Sequence, residues 1–194
     1  MARQGDTGGI EPRKAALRLL NGVLGEGRLV PELIAADALE GLDPADRARA
    51  QRLALDVLRG VVRADAILKP HLQKNPPLAV RNALRLGVVE IAGGAASYGV
   101  VNAVVSILSS GKRTRHFKGL ANAVLRKLAE DLPVKWAAMD APKLPGWLRQ
   151  PLVAAWGRDG VSAIEAVQFA GAPLDISAKG DVAAVAEALG GEVL

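Results

Sequence analysis

The sequence predicts an all-α fold, a helical bundle followed by a smaller mixed α/β segment. Half of the 194 residues are hydrophobic but only 3% are aromatic, and alanine, leucine and valine dominate. This composition favours helices over the aromatic and β-branched alternation of sheets. Apolar residues also recur at helical spacing between breaks rich in proline and glycine. The charged fraction of 23% is compatible with a packed core.

The N-terminal part predicts short helices separated by turns. Residues 1–11 are expected to form a flexible leader, after which Pro12 suits the first turn of a helix that ends near Gly27. A second, short helix is predicted to begin at Pro31. Asp43 is the predicted N-cap of the third helix, because its carboxylate can accept a hydrogen bond from a free amide of the first turn.

The middle of the chain predicts four further helical segments. One passes through DAILKPHL and stops at the strong NPP break. The next, LAVRNALRLGVVEI, repeats apolar residues at helical spacing and places its two arginines on an adjacent stripe. AASYG is expected to be a loop, VVNAVVSIL a largely buried helix, and SSGKRT a second loop before the last helix of this region.

That last helix has the most regular apolar pattern in the chain. Its apolar residues fall at i, i+3, i+4, i+7, i+8 and i+11 and so form one face: Phe117, Leu120, Ala121, Val124, Leu125 and Leu128. At about 100° per residue, the opposite side carries Arg115, Lys118, Asn122 and Arg126. These polar residues are therefore predicted to share a solvent-facing surface.

The composition of the sequence changes after residue 132, where prolines become frequent. We therefore predict a helical domain over 12–132 and a connector over 133–194. The connector should contain helices at Trp147–Trp156 and Val161–Phe169. PLDISAKG and EVL predict strands on either side of a capped helix. Because two strands alone would leave their edges unpaired, we expect a small α/β unit that is incomplete at residue 194.

The net charge of +5 hides a strong asymmetry. Ten basic residues lie between Ala66 and Ala129, whereas Glu90 is the only acid there, so this stretch carries +9 and the remainder −4. A basic middle on a mildly acidic chain predicts a polyanionic partner.

Several functional classes are excluded by residue type. The absence of cysteine removes disulfides, thiolate nucleophiles and sulfur-based zinc sites. His71 and His116 lack metal-site spacing, SILSSGKR lacks the first glycine of a phosphate loop, and GGAASYG lacks the dinucleotide spacing. We predict no catalytic, cofactor-binding or metal-binding residue in this chain.

Nothing in the sequence predicts secretion or a membrane span. MARQGDTGGI contains no apolar signal region, and small polar residues interrupt the uncharged run at 91–111 before it reaches the roughly 20 apolar residues of a membrane helix. A cytoplasmic protein is expected.

The basic cluster is the one positive functional signal. No acidic residue interrupts it before Glu130, although a merely solvated helix face would use acids at i+4 to pair with the cations. The loop at 111–114 also leads into a helix N-terminus, whose unpaired amides would favour phosphate. Few aromatics are available for base stacking, so contacts to phosphates and shape are favoured, and the long GGAASYG linker disfavours a helix-turn-helix. The predicted RNA-binding residues are Arg81, Arg85, Lys112, Arg113, Arg115, Lys118, Asn122, Arg126 and Lys127.

The same region resembles a known family. NALRLGVVEI and VVNAVVSILSSGKRTRHFKGLANAVLRKL are similar to the helical domain of the NusB antitermination factor, and more closely to the NusB-like N-terminal domain of ribosomal RNA cytosine-5 methyltransferases of the RsmB (Sun/Fmu) type. Residues 81–90, 101–104 and 119–127 occupy the three motifs of the family. The glutamate of the V-N-E-A-V motif is missing, because Ala103 follows Asn102 directly. LPGWLRQPLVAAWGRDGVSAIEA and PLDISAKG resemble the connector that precedes the methyltransferase domain.

The resemblance implies a cytoplasmic RNA-binding module of an enzyme that transfers a methyl group from S-adenosylmethionine to cytosine C5 of 16S rRNA. That chemistry requires a thiolate to add at C6, and this chain has no cysteine. We therefore expect the chain itself to be non-catalytic, with S-adenosylmethionine bound in a catalytic domain outside it. Two alternatives stay open: a stand-alone NusB-type transcription regulator that binds RNA or a ribosomal protein, and a module whose basic face meets an acidic protein.

Overall fold

The structure, a computed structural model, describes residues 9–172 and 174–193, and the regular secondary structure in these ranges is helical. Nine α-helices and no β-strand form within these ranges, and none of these helices has the length and apolar content to cross a bilayer. The helices are α1 Ile10–Glu26, α2 Val30–Ala35, α3 Pro44–Leu68, α4 Leu78–Ala92, α5 Ser97–Ser110, α6 Lys118–Ala129, α7 Leu132–Ala137, α8 Gly146–Ala170 and α9 Val182–Leu189.

Local signals set several of the helix ends. Asp43 caps α3 as predicted, because its carboxylate accepts a hydrogen bond from the Asp46 amide at 2.8 Å. The α3 helix then continues to Leu68 without a break, so the segment DAILKPHL is the end of α3 and a short 3₁₀ turn rather than a separate helix. Similarly, α5 begins at Ser97, inside the segment predicted as a loop.

Helix α4 occupies the centre of the first of two compact units, which extends to Pro142. It contacts α1, α3, α5, α6 and α7, and most of its residues from Val80 to Ile91 are buried. Gly87 lets α6 approach closely, since a Cβ atom at this position would lie 2.7 Å from Leu125 Cδ1. A helix surrounded on most sides must be apolar around most of its circumference, as this one is.

The predicted apolar face of α6 is confirmed. Ala121, Val124, Leu125 and Leu128 are buried against the core, while Phe117 and Leu120 pack partly against it. This orientation turns the basic side of α6 away from the bundle.

The short helix α7 packs with the first unit, although five of its six residues fall after the predicted boundary at 132. Leu132 is fully buried, and the Trp136 ring lies 5.4 Å from the guanidinium carbon of Arg63. Arg63 also donates hydrogen bonds to the carbonyl oxygens of Met139 and Asp140. Burial lowers the pKa of Arg63, and the nearby Asp140 carboxylate partly offsets that effect.

The second compact unit begins at Lys143, and the regular secondary structure of its described residues is helical. Helix α8 is interrupted at Gly157, whose φ of 73° is left-handed, so two helical segments form, as predicted. The predicted strands are wrong over 174–180 and 192–193, because neither segment pairs with a neighbouring backbone in the described part and a strand requires such a ladder. Pro173 and Leu194 lie outside the described residues.

Stability of the second unit is expected to fall in acid because of Glu165. Its buried carboxylate accepts hydrogen bonds from Arg149 Nε and the Leu144 amide, both at 2.8 Å, and these bonds lower the pKa of Glu165. A depressed folded-state pKa gives stability that is present above the unfolded value of about 4.3 and is lost as the pH falls through the folded value. Urea unfolding between pH 5 and pH 3, followed by tryptophan fluorescence in a Trp136→Phe background, measures this loss.

The variant Glu165→Gln should remove most of that pH dependence, whereas Glu187→Gln, at an exposed position of α9, should retain it. Equal pH dependence in wild type and Glu165→Gln would contradict the assignment.

Candidate nucleic-acid interface

Six exposed cationic side chains, here called the basic face, follow one another from the end of α5 through α6. They are Lys112, Arg113, Arg115, Lys118, Arg126 and Lys127. Within residues 9–172 and 174–193, none of their nitrogen atoms has a carboxylate oxygen within 4.0 Å. The positive charge of this face is therefore not neutralised by the parts of the bundle that the structure describes.

The loop that presents Lys112 and Arg113 is fixed by its own hydrogen bonds. The Thr114 hydroxyl donates to the Leu108 carbonyl at 2.8 Å, which satisfies an acceptor at the end of α5. The Arg115 amide donates to the Gly111 carbonyl at 3.0 Å. Gly111 has no room for a Cβ atom beside the Thr114 hydroxyl. The two basic side chains therefore extend from an anchored turn.

The prediction of unpaired amides in this region is wrong for four residues. A 3₁₀ turn at Arg115–Phe117 precedes α6, and its bonds use the amides of Thr114, Arg115, Phe117 and Lys118. Each of these amides already donates to a backbone carbonyl. Phosphate binding at these four residues would therefore depend on the side chains.

Along α6, the predicted polar side forms a regular stripe. Lys118, Asn122 and Arg126 follow at intervals of four residues, with the first and last exposed and Asn122 half-buried. Arg126 and Lys127 lie in the last turn of α6, where the helix dipole also favours cations. These two therefore have a structural explanation as well, whereas the dipole disfavours cations at the start of the helix.

Arg85 does not lie on this surface, because α4 runs through the centre of the unit. Its side chain is buried, and its Nε and Nη2 atoms donate to the Asp65 carboxylate at 2.7 and 2.5 Å. Its Nη1 atom donates to Asn82 at 2.8 Å. An exposed position for Arg85 was wrongly predicted, and we leave it out of the interface. Arg81 is half-buried, and its Nε atom has no hydrogen-bond partner among the described residues.

A groove that the sequence did not predict lies between the beginnings of α1, α3 and α5, with a volume of about 690 Å³. We call it the Tyr98 groove, because the Tyr98 ring at its edge is 74% exposed. Arg49, Asn102 and Ser106 also line it. Tyr98, Asn102 and Ser106 follow one side of α5, but Arg49 belongs to α3, and no local pattern of the sequence places it beside them.

A buried ion pair closes one side of the Tyr98 groove. Arg13 lines the groove and donates to Glu90 through Nε and Nη2, both at 2.7 Å, and it also donates to the Gly9 carbonyl at 2.8 Å. Glu90, the only acid of the basic middle region, is therefore neutralised by a residue of α1. In the described ranges, no group of three histidine or carboxylate side chains is arranged to hold a metal ion.

Comparison with known proteins adds two findings. The profile of the NusB family matches residues 10–130. The chain is also 35% identical over 167 aligned residues to the ribosomal RNA small subunit methyltransferase B of Xanthomonas campestris pv. campestris, a match that covers 81% of this chain and 36% of that protein. The chain thus spans little more than a third of the length of this relative.

Proposed function

The chain belongs to the NusB family, and from this premise we propose that it binds RNA through its basic face, as the recognition part of a 16S rRNA cytosine-C5 methyltransferase. The observation that carries the proposal is the group of six exposed cations without a neighbouring carboxylate in the described residues. Such a face attracts a phosphate backbone, and its binding releases the counterions condensed on the RNA.

Two features support RNA over an acidic protein as the partner. The cations are distributed along an anchored loop and one side of a helix, a linear arrangement that suits a repeating backbone of phosphates. The similar methyltransferase is by its name an enzyme of small-subunit ribosomal RNA, which makes 16S rRNA the first RNA to test. A ribosomal protein is a further partner to test in the same assay.

The methyl transfer itself is assigned to a part of the enzyme outside this chain. Cytosine C5 becomes nucleophilic when a thiolate adds to C6, and the 194 residues contain no cysteine. S-adenosylmethionine supplies the methyl group in that chemistry, and the described part of the chain offers no strand followed by a glycine-rich loop to hold it. We expect no binding of S-adenosylmethionine to this chain in isothermal titration calorimetry.

The second candidate function is a stand-alone antitermination factor, favoured by the family match over 10–130. The gene distinguishes the two. A reading frame that continues past codon 194 into a domain with paired cysteines favours the methyltransferase, and a stop codon favours the regulator.

The salt dependence of RNA binding tests the proposal. If the six cations each contact a phosphate, log K should fall with log salt concentration at a slope of about −4 to −5, or roughly 250- to 1,000-fold between 50 and 200 mM. Fluorescence anisotropy with labelled 16S rRNA fragments gives this slope, and polyglutamate serves as the competitor for the acidic-protein alternative. Binding to polyglutamate as tight as to RNA, or a slope shallower than about −1, would overturn the proposal.

A further inference from the structure

We propose that the Tyr98 groove is a pocket for one unpaired nucleotide of the bound RNA, with the base stacked on the Tyr98 ring. The inference rests on the proposed function, since it assigns a second contact to the same RNA. Three chemical groups in the groove suit the face of a base, a phosphate and the edge of a base. An aromatic ring, a guanidinium group and a carboxamide are supplied by Tyr98, Arg49 and Asn102.

Tyr98 has the exposure that stacking requires. Its ring is 74% exposed at the edge of a groove with room for a base, and no other ring contacts it among the described residues. Unpaired RNA bases are commonly held by stacking on aromatic side chains, while their edges are read by amide groups. The basic face itself contains no aromatic residue among its six members, which makes the Tyr98 position distinctive.

Arg49 supplies the positive charge. It lies half-buried near the start of α3, and no carboxylate oxygen within the described ranges comes within 4.0 Å of it. Arg13 also lines the groove, but its guanidinium group already donates hydrogen bonds to the Glu90 carboxylate and the Gly9 carbonyl. Arg49 is therefore the arginine available for a phosphate of the bound nucleotide.

A polar stripe of α5 connects the groove to the basic face. Tyr98, Asn102 and Ser106 follow at intervals of four residues, and Ser109 and Ser110 continue the same side up to the loop of Lys112. All five are exposed, and at 1.5 Å per residue the stripe is about 18 Å long. One RNA strand can therefore contact the basic face and the groove without crossing an apolar surface.

Two RNA probes and the variant Tyr98→Ala, with two control variants, test the pocket. Tyr98→Ala is expected to lower the affinity for an oligoadenylate of about 12 nucleotides by about five- to 150-fold, the range for one stacked base, and to leave the affinity for an RNA duplex of the same length unchanged. Tyr98→Phe, which keeps the ring, should bind both probes like wild type. Val62→Ala, at an exposed site on α3 outside the groove, is the matched control.

A direct signal comes from the fact that Tyr98 is the only tyrosine of the chain. Labelling with 3-fluorotyrosine therefore gives one fluorine resonance, which should shift on adding oligoadenylate and stay in place on adding duplex. Arg49→Gln should reduce the salt slope for oligoadenylate by about 0.7, the value for one phosphate contact to a single strand.

The outcomes separate this inference from the proposed function. An unchanged oligoadenylate affinity in Tyr98→Ala, or an equal loss for both probes, overturns the nucleotide pocket. If a basic-face variant binds both probes more weakly while Tyr98→Ala binds both like wild type, the result contradicts the nucleotide pocket but supports RNA binding by the basic face. If the wild-type chain binds neither probe, the proposed function fails as well.

Discussion

Reversing Arg113 and Arg115 to glutamate together is expected to weaken RNA binding by at least about 100-fold. Both guanidinium groups are exposed, and no carboxylate of the described residues lies within 4.0 Å of them, so both are available to phosphates. A hydrogen bond to a charged group contributes roughly 1.5–3 kcal/mol, and a tenfold change in affinity corresponds to about 1.4 kcal/mol. Two lost contacts account for the expected fall before any new repulsion. Anisotropy with a labelled 16S rRNA fragment measures it.

The matched control is Arg158→Glu with Lys179→Glu, which changes the net charge equally at exposed positions of the second unit. It should alter the affinity far less if the basic face is the binding surface. Arg113→Gln with Arg115→Gln should fall between wild type and the reversed variant, because it removes the contacts without adding repulsion. Equal losses in the two reversed variants would mean that overall charge, and not this face, governs binding. Thermal unfolding should be nearly unchanged in all of them, since surface substitutions usually cost less than 0.5 kcal/mol.

Features determined by neighbouring residues were predictable from the sequence. The apolar face of α6 follows from a 3.6-residue repeat, and its buried residues are Ala121, Val124, Leu125 and Leu128. The Asp43 cap depends on an amide three residues away. In both cases the physical cause lies within one or two helical turns, where the sequence alone contains the needed information.

Features that depend on distant partners were not predictable. The sequence predicts a surface position for Arg85, but Asp65, twenty residues earlier on another helix, holds it in the core. Glu90 is the one acid of the basic middle region, and its partner Arg13 is 77 residues away in the sequence. The predicted strands failed for the same reason, because the residues of PLDISAKG have a strand-like pattern but a ladder needs a second chain segment.

These corrections change where the positive charge is concentrated. Arg85 and Glu90 form internal pairs with Asp65 and Arg13, so neither contributes to the surface. The exposed charge without a neighbouring carboxylate is then found in the loop after α5 and along α6. That surface is smaller than the one predicted from composition and lies at one end of the polar stripe of α5, which leads to the Tyr98 groove.

Removing one partner of the Arg13–Glu90 pair is expected to destabilise the first unit strongly. Both side chains are buried, and two nitrogen atoms of Arg13 donate to the two carboxylate oxygens at 2.7 Å. Glu90→Ala leaves the guanidinium charge buried without a counterion, which costs about 3–5 kcal/mol. Because a domain of this kind is stable by only about 5–15 kcal/mol, urea unfolding should show a large fall in midpoint.

Replacing both partners tests whether the loss comes from the unpaired charge. Arg13→Met with Glu90→Leu removes both charges and keeps most of the volume, so it should recover most of the stability lost in Glu90→Ala. The exposed pair of Lys14 and Glu11, at 2.7 Å, provides the control, and Glu11→Ala should cost at most about 1 kcal/mol. A loss in Glu90→Ala no larger than in Glu11→Ala would show that water reaches the buried guanidinium. Arg13→Met with Glu90→Leu also removes the hydrogen bond from Arg13 to the Gly9 carbonyl while the fold is retained. If this bond shapes the Tyr98 groove, the double variant should bind oligoadenylate more weakly than wild type.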